Sequence, residues 1–171
     1  MDKRNEKSKE AIRQALIRLS TMRPYAQISV RELCREAHVS RSTFYNNYRF
    51  FNDVVAEMSE SYIRKLREKK LTRAFFDSLQ HDSDELKLLL ESGVFGRDFC
   101  FYLRDLIAPG THPDPTNIAV NVETLYHAFG IFGVLQNLLA IKAEPKLTDE
   151  IYRAGIDKLL EIVGDYTQDS V

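Results

Sequence analysis

Arg41, Ser42, Thr43, Tyr45, Asn46 and Asn47 fall within seven consecutive residues, and every one of these side chains can donate a hydrogen bond. No Asp or Glu occurs from Ala37 to Asn52. A run of donors without carboxylates suits a polyanion, because carboxylates facing phosphates weaken binding. Arg41 has a further use: its guanidinium can bond two acceptors at once, as guanine offers in the major groove. The chemistry implied is non-covalent recognition of a nucleic-acid groove. Taken singly, each residue also has a plainer reading, with Tyr45 as a half-buried amphipathic ring and Arg41 as a solvated charge. Their setting distinguishes the two.

Ser40 is placed to cap a helix from Arg41 to about Tyr48, with Phe44 and Val39 as inward anchors. That cap leaves the helix N-terminus where a phosphate could sit. Upstream, Ser29-Val30-Arg31-Glu32 spells a capping box, and Val30, Leu33, Cys34 and Ala37 form the apolar stripe behind it. His38-Val39 makes the break between the two helices. Before them a helix is expected from about Ser8 as N-cap, with Ile12, Ala15, Leu16 and Leu19 on one face. Arg23-Pro24 ends it, since the residue before proline avoids helical geometry. Two short helices joined by a tight turn, with a third packed across them, make a helix-turn-helix whose second helix fits a major groove.

The stretch from Ile28 to Tyr45 resembles the tetracycline-repressor (TetR/AcrR) family of bacterial regulators. In that family Ser or Thr caps the second helix, an Ala-Gly-Val-Ser-type turn follows, and the recognition helix carries a Thr-Leu/Phe-Tyr core. Arg23-Pro24-Tyr25 resembles the family's connector. The resemblance covers about Ala11–Met58. It implies that Thr43 and Tyr45 bind phosphates, that Arg41, Ser42 and Asn46 reach base edges, and that Asn47 contacts the backbone. Ser29 and Ser40 join this candidate set as caps. Two departures stand out. His38 replaces the usual Gly of the turn, and His is among the residues enriched at positive φ. Phe51 stands where most members carry a phosphate-binding Lys, which leaves Arg49 to compensate.

The charge supports one end meeting a polyanion. Residues 1–51 carry 11 Lys/Arg against 5 Asp/Glu, and the rest carry 13 against 20. Lys3, Arg4, Lys7 and Lys9 form a further basic cluster for phosphates or a minor groove. The chain is 44 % apolar with only 7 Gly and 5 Pro, a balance that favours an all-α protein. Residues 1–52 are expected to form a three-helix DNA-binding head, and residues 53–171 a helical bundle for dimerisation and effector binding.

In that bundle, helices are expected at about Asp53–Lys69, Thr72–Gln80, Asp84–Glu91, Phe95–Ile107, Thr116–Ile141 and Asp149–Tyr166, with a loop at Pro109-Gly110, Pro113 and Pro115. The long helix is apolar round much of its girth. Ile118, Val122, Leu125, Phe129 and Phe132 line one side, and Ala128, Ile131, Leu135, Leu138 and Leu139 the other. Such a helix needs cover on several sides. The last helix offers Ile151, Ile156, Leu159, Leu160 and Val163. In the resembling family the last two helices of each subunit form a four-helix dimer interface, which implies a homodimer reading a near-palindromic double-stranded operator. Phe95, Phe99, Tyr102, Tyr126, His127 and Phe129 are candidates for a pocket holding a small apolar or aromatic effector, or else an ordinary aromatic core.

Other classes find less support. His38, His81, His112 and His127 are scattered, and Cys34 and Cys100 make no metal spacing. No Ser/His/Asp order or Gly-rich phosphate loop occurs, so neither catalysis, a cofactor nor a metal is expected. No secretory signal or membrane span is evident. Leu125–Ile141 is too short and carries His127, Gln136 and Asn137. A cytoplasmic protein is expected, with its cysteines as core residues. The expectation is therefore a homodimeric transcriptional repressor. The alternative is a co-regulator of the same fold that works mainly through a protein partner.

Overall fold

The computed structural model describes residues 3–67, 72–81, 83–107, 118–142 and 149–168. Helix α1 (Lys3–Met22) buries Ile12, Ala15, Leu16 and Leu19 on one stripe. It begins five residues before the expected cap. Ser8 lies inside the helix and its hydroxyl donates to the Arg4 carbonyl at 3.0 Å. A mid-helix Ser is tolerated when its hydroxyl bonds back one turn in this way. Pro24 (φ −55°, ψ 140°) stops the helix, and a single 3-10 turn, Tyr25–Gln27, leads to buried Ile28.

Helix α2 (Val30–Glu36) starts in the expected capping box. The Glu32 amide donates to Ser29 Oγ at 3.3 Å, and the Ser29 amide donates to Glu32 Oε2 at 3.1 Å. The Ser29 hydroxyl and amide, with Arg23 beside them, hold the Glu32 carboxyl below its ordinary pKa. The helix ends in paired reverse bonds. His38 N–H reaches the Arg35 carbonyl at 3.3 Å and Val39 N–H the Cys34 carbonyl at 3.0 Å. This is a Schellman end, with His38 at φ 53° in the place glycine usually fills.

Helix α3 (Arg41–Asn47) buries Phe44 fully and packs on both α1 and α2. Helix α4 (Phe51–Leu66) begins two residues before the expected Asp53. Phe50 offers no side-chain cap, and the Asp53 carboxylate instead accepts the Phe50 amide at 2.7 Å. Val54, Val55, Met58, Tyr62 and Leu66 all point into the core, as their spacing predicts.

Beyond α4 come α5 (Arg73–His81), α6 (Ser83–Glu91), α7 (Phe95–Ile107), α8 (Ile118–Lys142) and α9 (Asp149–Gln168). Each lies within two residues of its expected bounds. The Pro109–Pro115 loop falls outside the described residues. The architecture is all-α, with no strand among the described residues.

The chain divides into two compact units. One holds Met1–Arg64 with Asp84–Phe95, so it takes in most of α4 and of α6 besides residues 1–52. Here α1, α2 and α3 pack on one another, and Tyr62 meets Phe95 edge-on with centroids 5.8 Å apart. The other unit holds Lys65–Ser83 with Gly96–Val171. Its core gathers Phe75, Phe76, Leu79, Phe99, Tyr102 and Leu103 with Ala128, Ile131, Leu135, Ile156 and Leu159. In it α9 packs on both α5 and α8.

Candidate nucleic-acid interface

The α2–turn–α3 segment is held at every joint by a local bond. Ser40 Oγ accepts the Thr43 amide at 3.0 Å and lies 2.7 Å from Ser42 Oγ and 2.8 Å from Thr43 Oγ1. The three hydroxyls form one cluster that fixes the start of α3. On the other face, Phe44 meets Tyr48 at 5.6 Å and the edge of Tyr45 at 5.3 Å. Buried Phe44 thus sets the rotation of α3 about its axis, and that rotation decides which residues face outward.

Arg41, Ser42, Tyr45 and Asn46 are exposed, and Thr43 is half-buried. Tyr45 is 50 % exposed, with its ring edge-on to Phe44. These five form one surface of hydrogen-bond donors without a carboxylate. Asn47 behaves differently. Its amide nitrogen donates back to the Thr43 carbonyl at 2.8 Å, and its amide oxygen is buried without a hydrogen-bond partner. Its side chain is turned into its own helix.

The position of the missing lysine is filled by packing. Phe51 lies against the Tyr25 ring with centroids 5.4 Å apart, and the Tyr25 hydroxyl donates to Asn52 Oδ1 at 2.7 Å. Aromatic contact there joins the start of α4 to the connector after α1. Arg49 is exposed, with its guanidinium 5.1 Å from the Phe50 ring centroid, and Phe50 is itself 60 % exposed. Of the basic cluster, Arg4 and Lys7 are exposed, whereas Lys9 bonds Glu57 at 2.5 Å. The Lys3 side chain lies outside the described residues. Glu57, Tyr48 and Asp53 were not singled out by the sequence pattern. Asp53 carried a signal, since it lies three residues after Phe50 at the N3 position of a cap. Glu57 carried none, because its partner Lys9 is 48 residues away.

The six aromatic and histidine candidates for an effector differ in burial. Phe95 belongs to the first unit and packs on Tyr62. Phe99 and Tyr102 stack at 5.9 Å in the second, and the Tyr102 hydroxyl donates to the Leu66 carbonyl at 2.6 Å. Burial holds that phenol well above its ordinary pKa. Tyr126 and Phe129 are 75 % and 50 % exposed, and His127 lies edge-on to Tyr126 at 5.6 Å. The first unit also has an open groove of about 490 Å³ at the end of α1, lined by Ser20–Ala26 with Lys87 and Glu91; none of the six lines it.

Helix α8 has two unlike sides. Ala128, Ile131 and Leu135 are buried in the second unit, while Val122, Tyr126, Phe129 and Val134 are exposed. Gly130 and Gly133 are exposed too, with open space where a Cβ would stand. The side chains of Ile118, Leu138, Leu139 and Val163 lie outside the described residues.

The comparison that decides the fold is with a TetR transcriptional regulator from Streptococcus agalactiae 2603V. That structure superposes with a TM-score of 0.67 at 22 % identity, over 92 % of this chain and 96 % of that one. The chain has a TetR-like fold. No family model and no curated protein matches it. Among the described residues no helix is long and apolar enough to cross a membrane.

Proposed function

We propose that this chain is a DNA-binding transcriptional regulator that represses by occupying a near-palindromic operator as a homodimer. One observation carries the reading. Arg41, Ser42, Tyr45 and Asn46 stand exposed on a capped helix that Phe44 fixes in rotation, and no carboxylate lies among them. In this reading residues 1–52 bind DNA. Arg41, Ser42 and Asn46 meet base edges, Thr43, Tyr45 and Arg49 meet phosphates, and Ser29 and Ser40 hold their helices in place. Asn47 serves as a structural brace of α3 in preference to a backbone contact, because its amide is turned inward.

Residues 53–171 carry dimerisation and effector binding in this reading. The exposed apolar side of α8, with Ile151 of α9 also 54 % exposed, is the surface a second copy would cover. A two-fold pair of heads reads two half-sites, which one α3 cannot do. Phe99 and Tyr102 are the best-placed candidates for a small apolar or aromatic effector. The protein would act in the cytoplasm.

Selection from random duplex DNA with the full chain at moderate salt tests the proposal. Enrichment of a near-palindrome is expected. Recovery of no preferred sequence by a dimeric protein would refute DNA recognition. It would leave the second reading, a co-regulator acting through a protein partner, which exposed Phe50 and the loss of lysine at Phe51 favour.

A further inference from the structure

Tyr48 closes α3 and is only 3 % exposed. Its hydroxyl donates to Glu57 Oε1 of α4 at 3.3 Å. Lys9 of α1 bonds the other oxygen, Glu57 Oε2, at 2.5 Å, and the same ammonium lies 5.3 Å from the centroid of the Tyr48 ring. Arg13, one turn further along α1, reaches Glu57 Oε1 at 3.7 Å and pairs with Glu10 at 2.5 Å. One carboxylate therefore gathers α1, the end of α3 and α4. The side chains of Lys9, Arg13 and Glu57 are 19 %, 24 % and 32 % exposed. Charge-assisted bonds shielded in this way are stronger and more directional than open surface pairs. Burial, then the Glu57 charge, pushes the Tyr48 hydroxyl well above its ordinary pKa, so it stays protonated as a donor.

The assignment of α3 as a groove reader gives Glu57 no direct role. A carboxylate on a basic head weakens long-range attraction to phosphates. It also occupies Lys9, a cation that would otherwise add to that attraction, and shares Arg13 with Glu10. Its geometry suits a different task.

We propose that Glu57 is a positioning residue that fixes the placement of α3 through Tyr48, so that the exposed face of α3 meets base edges in register. This rests on the DNA-binding reading above. Hydrogen bonds to bases fail with small errors in distance and angle, whereas attraction to phosphates falls off slowly with distance. A misplaced α3 therefore loses sequence preference before it loses general affinity.

The two possible roles of Glu57 predict opposite signs. Glu57→Gln removes a negative charge and weakens the hold on Lys9, while Arg13 keeps its Glu10 partner. On charge alone, every duplex then binds more tightly. On positioning, the selected duplex binds about tenfold more weakly, the loss of one charge-assisted bond, while a scrambled duplex binds as before or more tightly. Tyr48→Phe keeps the ring under Lys9 and removes only the hydroxyl. Its specific affinity should fall by about threefold, the scale of one modest hydrogen bond, with the scrambled duplex unchanged.

The experiment is fluorescence anisotropy of the full-length wild type, Glu57→Gln and Tyr48→Phe on the selected and the scrambled duplex, with helical circular dichroism confirming folding. Should Glu57→Gln not fold, Tyr48→Phe carries the test alone, since its ring volume is unchanged. A selective loss on the chosen duplex supports positioning. A wild-type preference that the folded variants retain in full, or an equal shift on both duplexes, overturns it while leaving DNA binding intact. A wild type that prefers no duplex overturns the DNA-binding reading and this inference together.

Discussion

The exposed face of α3 and the exposed face of α8 are opposites. On α3 the outward residues are Arg41, Ser42, Tyr45 and Asn46, and the helix is fixed by Ser40 at one end and Tyr48 at the other. On α8 they include Val122, Tyr126, Phe129 and Val134, with two glycines and Glu123, Gln136 and Asn137 among them. Water satisfies the first face completely, so it can wait for a ligand at no cost to folding. It cannot satisfy the second, whose apolar area favours association whenever a complementary surface is near. The difference supports the proposal that one face serves reversible recognition and the other assembly.

The comparison breaks hardest at Phe44. It is fully buried beneath the α3 face, and Phe44→Ala should destabilise its unit by about 3–5 kcal/mol, as large-to-small core changes do. Chemical denaturation would measure this. A loss below about 1 kcal/mol, the scale of a surface change, would mean that Phe44 does not anchor α3. Next comes Phe129→Glu on α8. The site is half exposed in a single chain, so folding should survive, but a charge buried in an interface costs about 3–5 kcal/mol. Sedimentation should find a dimer for the wild type and a folded monomer for the variant. An unchanged dimer would move the assembly surface elsewhere.

The smallest effect sharpens the account of the turn. His38 holds φ 53°, a conformation glycine adopts without strain, so His38→Gly should stabilise the fold by about 0.5–1 kcal/mol, less than the full left-handed penalty because glycine is also freer when unfolded. A thermal midpoint that rises supports this. A midpoint that falls would mean that the imidazole makes a contact worth more than the strain.

The local grammar of the head was legible in the sequence. Ser29 with Glu32, Ser40 with Thr43 and the stop at Pro24 are bonds or restraints spanning at most three residues, so residue spacing alone predicts them. His38 in a left-handed turn followed from the place where a glycine was expected. The start of α1 was not legible, because nothing between Lys3 and Ser8 breaks a helix and an internal Ser can mimic a cap. The start of α4 reads two residues late, because Asp53 looks like a first residue although it caps from the N3 position. Long-range partners were hidden altogether. Lys9 reads as one of four basic residues until Glu57 takes it, and Asn47 reads as an outward donor until its amide turns back to Thr43. Aromatic composition suggested a shared pocket, but composition carries no direction, and Tyr126 and Phe129 face outward while Phe99 and Tyr102 face inward.

Base reading by the exposed face of α3 is probed most sharply at Arg41. The affinities of wild type and Arg41→Ala should be compared across single-base variants of the selected duplex. The predicted result is lost discrimination, by about 1–3 kcal/mol, at one position in each half-site, with the other positions unaffected. Equal weakening on every sequence would contradict base reading by Arg41 and reduce it to a phosphate contact.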